Sequence, residues 1–220
     1  MELDDILGRR YSCRKYLARP VPAADIEAIL ELARKTPSWC NTQPWQVLLL
    51  GGEPLEAFRA AMHAHAGKGD PINPDFAFPA RYEGVFRDRR KVCGVQLYRA
   101  LGIGREDKAA AAEQSLENFR FFGAPHLALV TTEADLGVYG AVDCGLYVAN
   151  FLLAAGNLGV ATIAQAALAS YPDFIRGYFN LPAHRKMVCG IAFGYEDASH
   201  PINAYRTERA PLGDSVIRYG

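Results

Sequence analysis

The sequence has no excess of charge of either sign: 24 Lys and Arg balance 24 Asp and Glu over 220 residues. That balance leaves no electrostatic footprint for nucleic acid or an acidic membrane surface. There is no C-x-x-C pair. Cys13, Cys40, Cys93, Cys144 and Cys189 are an odd number scattered along the chain, which fits reduced thiols in the cytoplasm rather than a disulfide framework or a zinc site. No basic-then-apolar leader opens the chain, since Met1-Glu2-Leu3-Asp4-Asp5 is acidic. Several signatures of chemistry are missing too. Without G-x-G-x-x-G or G-x-x-x-x-G-K-[ST], neither a dinucleotide fold nor a P-loop has support. There is no H-E-x-x-H, and His63-Ala64-His65 has no third ligand nearby, so no metal site is expected. No G-x-S-x-G occurs, and no pattern of His or Arg marks Cys40 as a nucleophile; it reads as a small, buried or half-buried thiol. No repeat, low-complexity tract or interdomain linker interrupts the chain.

What is present is an ordinary apolar half, 50% of the residues, enough for one domain spanning 1–220. Leu3, Ile6 and Leu7 start a short helix stopping at Gly8. Ile26, Ile29, Leu30 and Ala33 fall at i, i+3, i+4 and i+7, which predicts a helix from Ala23 to about Lys35. Trp45 to Leu50 is a short apolar run closed by Gly51-Gly52, the pattern of a buried strand. A helix follows from about Pro54 through Phe58 and Met62. From His65 to Tyr82 the chain turns to Gly, Pro, Asn and aromatic residues, a long loop of the kind that forms a lid or pocket wall. Phe76, Phe78, Tyr82 and Phe86 are its candidate lining residues, with local packing as the plainer alternative. Arg87, Arg89, Arg90 and Lys91, interrupted by Asp88, read as a solvated helix face.

Helices are predicted over Arg89 to Leu101 and Glu106 to Phe122, and a buried strand over Pro125 to Thr132. Val138 to Val160 is the most apolar long segment. It carries Asp143 and Asn150, so it reads as a buried helix rather than a membrane span; its small residues predict close packing against another helix at the centre of the molecule. Thr162 to Ala167 reads as a turn, Pro172 to Phe179 as a helix, Met187 to Phe193 as a strand and Asp214 to Tyr219 as a possible last strand. Long helices between few short strands indicate an α+β domain.

Two features carry chemistry. Pro37-Ser38-Trp39-Cys40-Asn41-Thr42-Gln43-Pro44-Trp45 packs two prolines, two amides, two hydroxyls and two indoles into nine residues. Amides and hydroxyls match the edge of a planar heteroaromatic ligand, and Trp and Pro cover its face; the alternative is a plain helix-stop loop. The second is a pair of cation clusters at the chain's ends. Arg10, Ser12 and Arg14 alternate, so an extended segment projects all three to one side. A fork of guanidinium groups around a hydroxyl suits a phosphate or a ring carbonyl with its neighbouring nitrogen. Arg206 and Arg209, followed by the stiffening Pro211, could add phosphate contacts; the alternative for each pair is surface charge.

Arg-x-Ser-x-Arg near the N-terminus, Ala-x-x-x-Pro-Ser-x-x-Asn-x-Gln-Pro-Trp from Ala33 to Trp45, Gly-x-x-x-x-x-Gln from Gly159 to Gln165, Gly194-Tyr195 and a final Arg-x-x-Arg-x-Pro-Leu together resemble the FMN-dependent nitroreductase family. The ordered set spans nearly the whole chain. The resemblance implies an α+β fold, a helix-flanked mixed sheet, in an intertwined homodimer with one FMN in each of two shared sites. It implies that Arg10, Ser12 and Arg14 hold the flavin's phosphate and ring edge. Pro37, Ser38, Trp39, Asn41 and Gln43 would approach the partner's FMN. Ala164, Gln165 and Ala166 would bring backbone to the ring, and Arg206 and Arg209 would add phosphate contacts.

It further implies a dimer core at the helix from Val138, a pocket or lid insertion around 65–92, and a C-terminal extension, 200–220, across the partner. NADH or NADPH would reduce FMN and leave before a small planar nitroaromatic or quinone-like substrate takes its place. No catalytic side chain and no metal are implied. Asn118 stands near a flavin-contacting Asn of many relatives, but its spacing to the following strand differs. Two positions depart from the family pattern: Trp39 stands where many relatives have a small residue, so its indole either narrows the site or folds into the interface, and Thr207 stands near a frequent Lys. Another flavoenzyme on the same scaffold, such as an ene-type reductase, a dehalogenase or a flavin-fragmenting enzyme, or a non-catalytic flavin-binding protein would share these residues.

Overall fold

The computed structural model describes residues 2–219, so Met1 and Gly220 lie outside it. Helix α1 is Leu3–Arg9, α2 Ala23–Ala33, strand β1 Gln46–Gly51, α3 Gly52–Ala66, α4 Gly84–Ala100, α5 Lys108–Leu116, β2 His126–Glu133, α6 Gly137–Asn157, β3 Ala161–Gln165, α7 Pro172–Phe179 and β4 Arg185–Gly194. The strands form one sheet in the order β1-β2-β4-β3, every ladder antiparallel. Ser12 adds a parallel bridge at Thr162.

Alternation along β2 builds a core on each face of the sheet. Leu127 and Leu129 pack with Leu55, Phe58 and Met62 of α3, Phe121, and Ile175 of α7. Ala128 and Val130 point the other way, onto Ile26, Ile29 and Ala33 of α2 and Cys144, Tyr147 and Phe151 of α6. A side-chain period of two on a strand buried on both faces requires this division. Val188 is the extra residue of a β-bulge, because Val130 pairs with Cys189 and Thr131 with Met187.

Several expectations change. Thr162 to Ala167 is not a turn: Ala161 to Gln165 pair with β4 as a strand, a length of five residues too short to show periodicity in the sequence. No strand forms over Asp214 to Tyr219, where a 3₁₀ turn at Leu212–Asp214 precedes irregular chain. The helix expected to reach Phe122 ends at Leu116 and gives way to 3₁₀ turns over Glu117–Gly123, with Phe121 and Phe122 at φ 56° and 52°. The reason is tertiary: both rings are buried, and Arg59 donates to the carbonyls of Arg120 and Ala124. α4 begins five residues earlier than expected, and none of its residues is buried.

The helix from Val138 is buried on one face only. The segment Ala134–Asn157 is long and apolar enough to cross a membrane by length and composition, and its inner face packs on β2. Its outer stripe of Val138, Tyr139, Val142, Gly145, Leu146 and Ala149 is exposed.

Candidate functional site

The N-terminal segment reaches the sheet because β3 is an edge strand with free backbone groups. Cys13 N donates to Thr162 O at 3.0 Å, which carries Arg10, Ser12 and Arg14 past the end of β3. Further along, Tyr16 bridges Glu196 and Leu17 N donates to Tyr195 O at 2.9 Å. The C-terminal segment is fastened to this one by Asn203, which is 4% exposed. Its Oδ1 accepts from Arg14 N at 2.9 Å, and its Nδ2 donates to Lys15 O at 2.8 Å and Asp197 O at 2.9 Å. Residues almost 200 positions apart thereby meet at one place.

The result is a cavity of about 350 Å³ lined by Arg10, Ser12, Arg14, Arg206, Thr207 and Arg209, together with Tyr11, Cys93 and Tyr205. Both predicted cation clusters are in it. No carboxylate lines it, and among the described residues none of the four arginines is in an ion pair. Burial, and then the positive charge of Arg209, lowers the Arg10 guanidinium below its ordinary value. Arg14 Nη1 donates to Ser12 O at 3.1 Å and Tyr205 Oη at 3.0 Å. Arg209 Nη1 donates to Thr207 Oγ1 at 3.1 Å and to the carbonyls of Thr207 and Glu208, so Thr207 shapes the cluster by holding Arg209. Tyr11, Asn203 and Tyr205 were absent from the sequence-based set; an aromatic or amide beside an Arg carries no periodic signal.

At the end of β3, Ala164 and Ala166 are exposed while Gln165 is buried between them, so small side chains leave the backbone accessible. Gln165 Nε2 donates to Asn118 O at 2.9 Å and Oδ1 at 3.4 Å, which puts Asn118 against this turn despite its unusual spacing. Gly190 pairs with Gln165, and a Cβ there would meet Leu168 Cδ1 at 2.3 Å. A larger residue at 190 would require the Leu168 side chain to shift.

Pro37, Ser38, Trp39, Asn41 and Gln43 do not line the arginine cavity of their own chain. Their loop is held within itself by Gln43 N donating to Ser38 Oγ at 2.9 Å, and to α6 by Trp39 N donating to the buried Asp143 carboxylate at 3.1 and 3.3 Å. Cys40, Asn41 and Gln43 have φ of 51°, 55° and 47°, the left-handed region that non-glycine residues enter at a cost. Cys40 is exposed rather than buried or half-buried, because that conformation turns it outward. Trp39 is 61% exposed and lies edge-to-face on Tyr139, 4.7 Å between centroids. The indole folds onto the outer stripe of α6.

The expected lid is tied down along its first half. Asp75 accepts from Arg176 at 2.6 Å and from Met187 N at 2.8 Å, with Lys186 at 3.4 Å, and Asn73 N donates to Ser170 O at 2.9 Å. Phe78 packs against the core under α3. Tyr82 and Phe86 remain exposed, and the Arg90 guanidinium stands 5.2 Å from the Tyr82 ring centroid. No cluster of metal-ligating side chains occurs among the described residues.

Residues 7–195 match the model of the nitroreductase family. A 4-nitrobenzoate reductase of Nocardioides sp. (strain LMS-CY) is 33% identical over 217 residues, 97% of this chain and 88% of the relative. Nitroreductase NfnB of Mycolicibacterium smegmatis is 34% identical over 213 residues, covering 96% and 89%. Among solved structures, the FMN and NADPH-dependent nitroreductase NfnB from Sphigopyxis sp. strain HMH superposes with a TM-score of 0.96 at 30% identity over the whole of both chains. The FMN-dependent NfnB from Mycobacterium smegmatis in complex with NADPH does so with a TM-score of 0.91 at 32% identity, again over both chains in full. With these motifs in order on this fold, the chain belongs to the nitroreductase family.

Proposed function

We propose that the protein is a single-domain, FMN-dependent oxidoreductase that uses NAD(P)H to reduce nitroaromatic or quinone-like compounds, acting in the cytoplasm as a homodimer. The observation that carries this reading is the cavity where Arg10, Arg14, Arg206 and Arg209 converge with no carboxylate in its lining. Cations gathered in a half-buried cleft are unfavourable until an anion joins them, and a phosphate monoester supplies about −1.5 to −2 charges at neutral pH. The donor set therefore fits FMN: the four arginines and Ser12 would hold the phosphate and ring edge. The backbone of Ala164, Gln165 and Ala166 would lie beside the ring, with Gln165 and Asn118 fixing the turn.

FMN, when bound, would supply the redox chemistry of a two-electron carrier between NAD(P)H and the acceptor. The chain's own part would be to bind and orient, its cations and backbone N–H groups favouring negative charge on the ring side of the site. No side chain is assigned as acid, base or nucleophile.

The exposed stripe of α6, with Val138 65% exposed, and the exposed Leu212, Val216 and Ile217 of the tail support the dimer. Monomers rarely leave such an apolar surface open, and Gly145 and Ala149 within the stripe permit close approach of a second copy. In that arrangement Pro37, Ser38, Trp39, Asn41 and Gln43 reach the partner's FMN, and the 200–220 extension crosses the partner.

Purified protein should be yellow, should oxidise NADPH or NADH when 4-nitrobenzoate is added, and should elute with twice the chain mass. Colourless protein that takes up no added FMN would sink the reading. A flavoprotein without NAD(P)H oxidation would be a flavin carrier instead.

A further inference from the structure

Tyr11 stands beside the arginine cluster and belongs to none of the family motifs. The Arg206 guanidinium carbon lies 3.6 Å from the centroid of its ring. Nη1 of the same guanidinium donates to the carbonyls of Asn203 at 2.7 Å and Tyr205 at 2.9 Å. At the far edge of the ring, the Tyr11 hydroxyl donates to Glu196 Oε2. Glu196 is placed by its bridge to Tyr16 and by the bond from Asp197 N to Lys15 O at 3.0 Å. It lines the adjoining cavity with Arg9 and Thr162, not the arginine cavity.

Each contact has a physical consequence. A guanidinium over a tyrosine face is attracted by the ring quadrupole, and hydrogen bonding of the phenol to a carboxylate enriches the ring's electron density. Burial first, and the bond to Glu196 second, raise the Tyr11 phenol far above its ordinary range, so it stays a neutral donor. The Glu196 carboxylate lines the adjoining cavity, which shares Arg10 and Tyr11 with the arginine cavity, and is absent from the lining of the arginine cavity itself. A guanidinium fixed by a ring and two carbonyls has less freedom left to lose when it binds a phosphate.

We propose that Tyr11, anchored by Glu196, is a positioning residue that fixes Arg206 for the FMN phosphate and so sets a preference for FMN over riboflavin. The inference rests on the FMN reading above and goes beyond it by assigning phosphate discrimination to a ring that does not itself touch the phosphate.

The test is a flavin titration of the full-length protein stripped of flavin, with FMN and riboflavin in parallel, read by flavin fluorescence. Tyr11→Leu is expected to weaken FMN about 3- to 30-fold while riboflavin stays within about 2-fold, the range of one cation–π contact. Tyr11→Phe, which keeps the ring and loses only the hydroxyl, is expected to weaken FMN about 2- to 10-fold; it carries the test if Tyr11→Leu does not fold. Adding Tyr11→Leu to Arg206→Ala should cost nothing further. Equal losses for both flavins, no loss for FMN, or additive losses in the double variant would each overturn the proposal. Wild-type protein that binds neither flavin removes the FMN reading and the proposal with it, whereas wild type that prefers FMN beside unaffected Tyr11 variants removes the proposal alone.

Discussion

Asn203 is the joint where the two ends of the chain meet, and replacing it should show how far the site depends on that joint. The side chain is 4% exposed and makes three hydrogen bonds, accepting from Arg14 N and donating to Lys15 O and Asp197 O. Asn203→Ala removes all three and strands their backbone partners. At about 0.5–1.5 kcal/mol net for each bond, the loss is roughly 2–4 kcal/mol. For a chain of this size each kcal/mol lowers Tm by about 2–4 °C, so a fall of roughly 5–15 °C is expected at fixed protomer concentration. Because Arg14 and Arg206 are held together through Asn203, FMN affinity should fall as well. Thermal unfolding by circular dichroism and FMN titration of the same preparation measure both. Asn203→Asp keeps the acceptor for Arg14 N but turns its second carboxylate oxygen, in place of the Nδ2 donor, toward two carbonyls. Its defect should ease as pH falls, because a protonated carboxyl regains one donor. A Tm within 2 °C of wild type, estimated as under about 1 kcal/mol, together with unchanged FMN affinity would refute the reasoning.

Arg14→Ala should weaken FMN by about 1.5–3 kcal/mol, the worth of a hydrogen bond to a charged group; unchanged affinity would remove Arg14 from the phosphate site. Asp75→Ala releases Arg176, Lys186 and Met187 N from one buried carboxylate, 5% exposed at the side chain. It should destabilise the protein by about 3 kcal/mol and speed hydrogen exchange across residues 67–83, as mass spectrometry would read. Trp39→Ala removes the edge contact with Tyr139 of the same chain and should lower stability by about 0.5–1.5 kcal/mol, read as a lower midpoint in urea unfolding.

The His126 imidazole is lowered from its ordinary value by burial, and its Nε2 accepts from Val21 N at 2.9 Å. The unfolded chain therefore binds the extra proton first, so this group's contribution to stability is present above pH of about 6.5 and is lost as pH falls toward the lowered folded value. Urea unfolding at pH 5.5 and 7.5 should show that slope in wild type and a flatter one in His126→Gln.

Periodicity and motif order in the sequence were enough for α2, α3, α7, β1, β2 and β4, for the family, and for both arginine clusters, because each rests on residues close in the chain. Positions 10, 12 and 14 all line one cavity, but so does Tyr11 between them, so alternation alone does not account for the lining. β3 was not legible, since five residues become a strand only when β4 offers a partner. The break after Leu116 was not legible either: Phe121 and Phe122 take left-handed conformations to bury their rings and to be held by Arg59, a residue of another helix. That Asn203 joins the two ends, that Tyr11 carries Arg206, and that Trp39 lies on Tyr139 were likewise decided by tertiary structure. Local sequence specifies which groups are available and which way a short segment faces. Which distant groups meet is fixed by packing the two cores against one sheet, and that choice is spread over the whole chain.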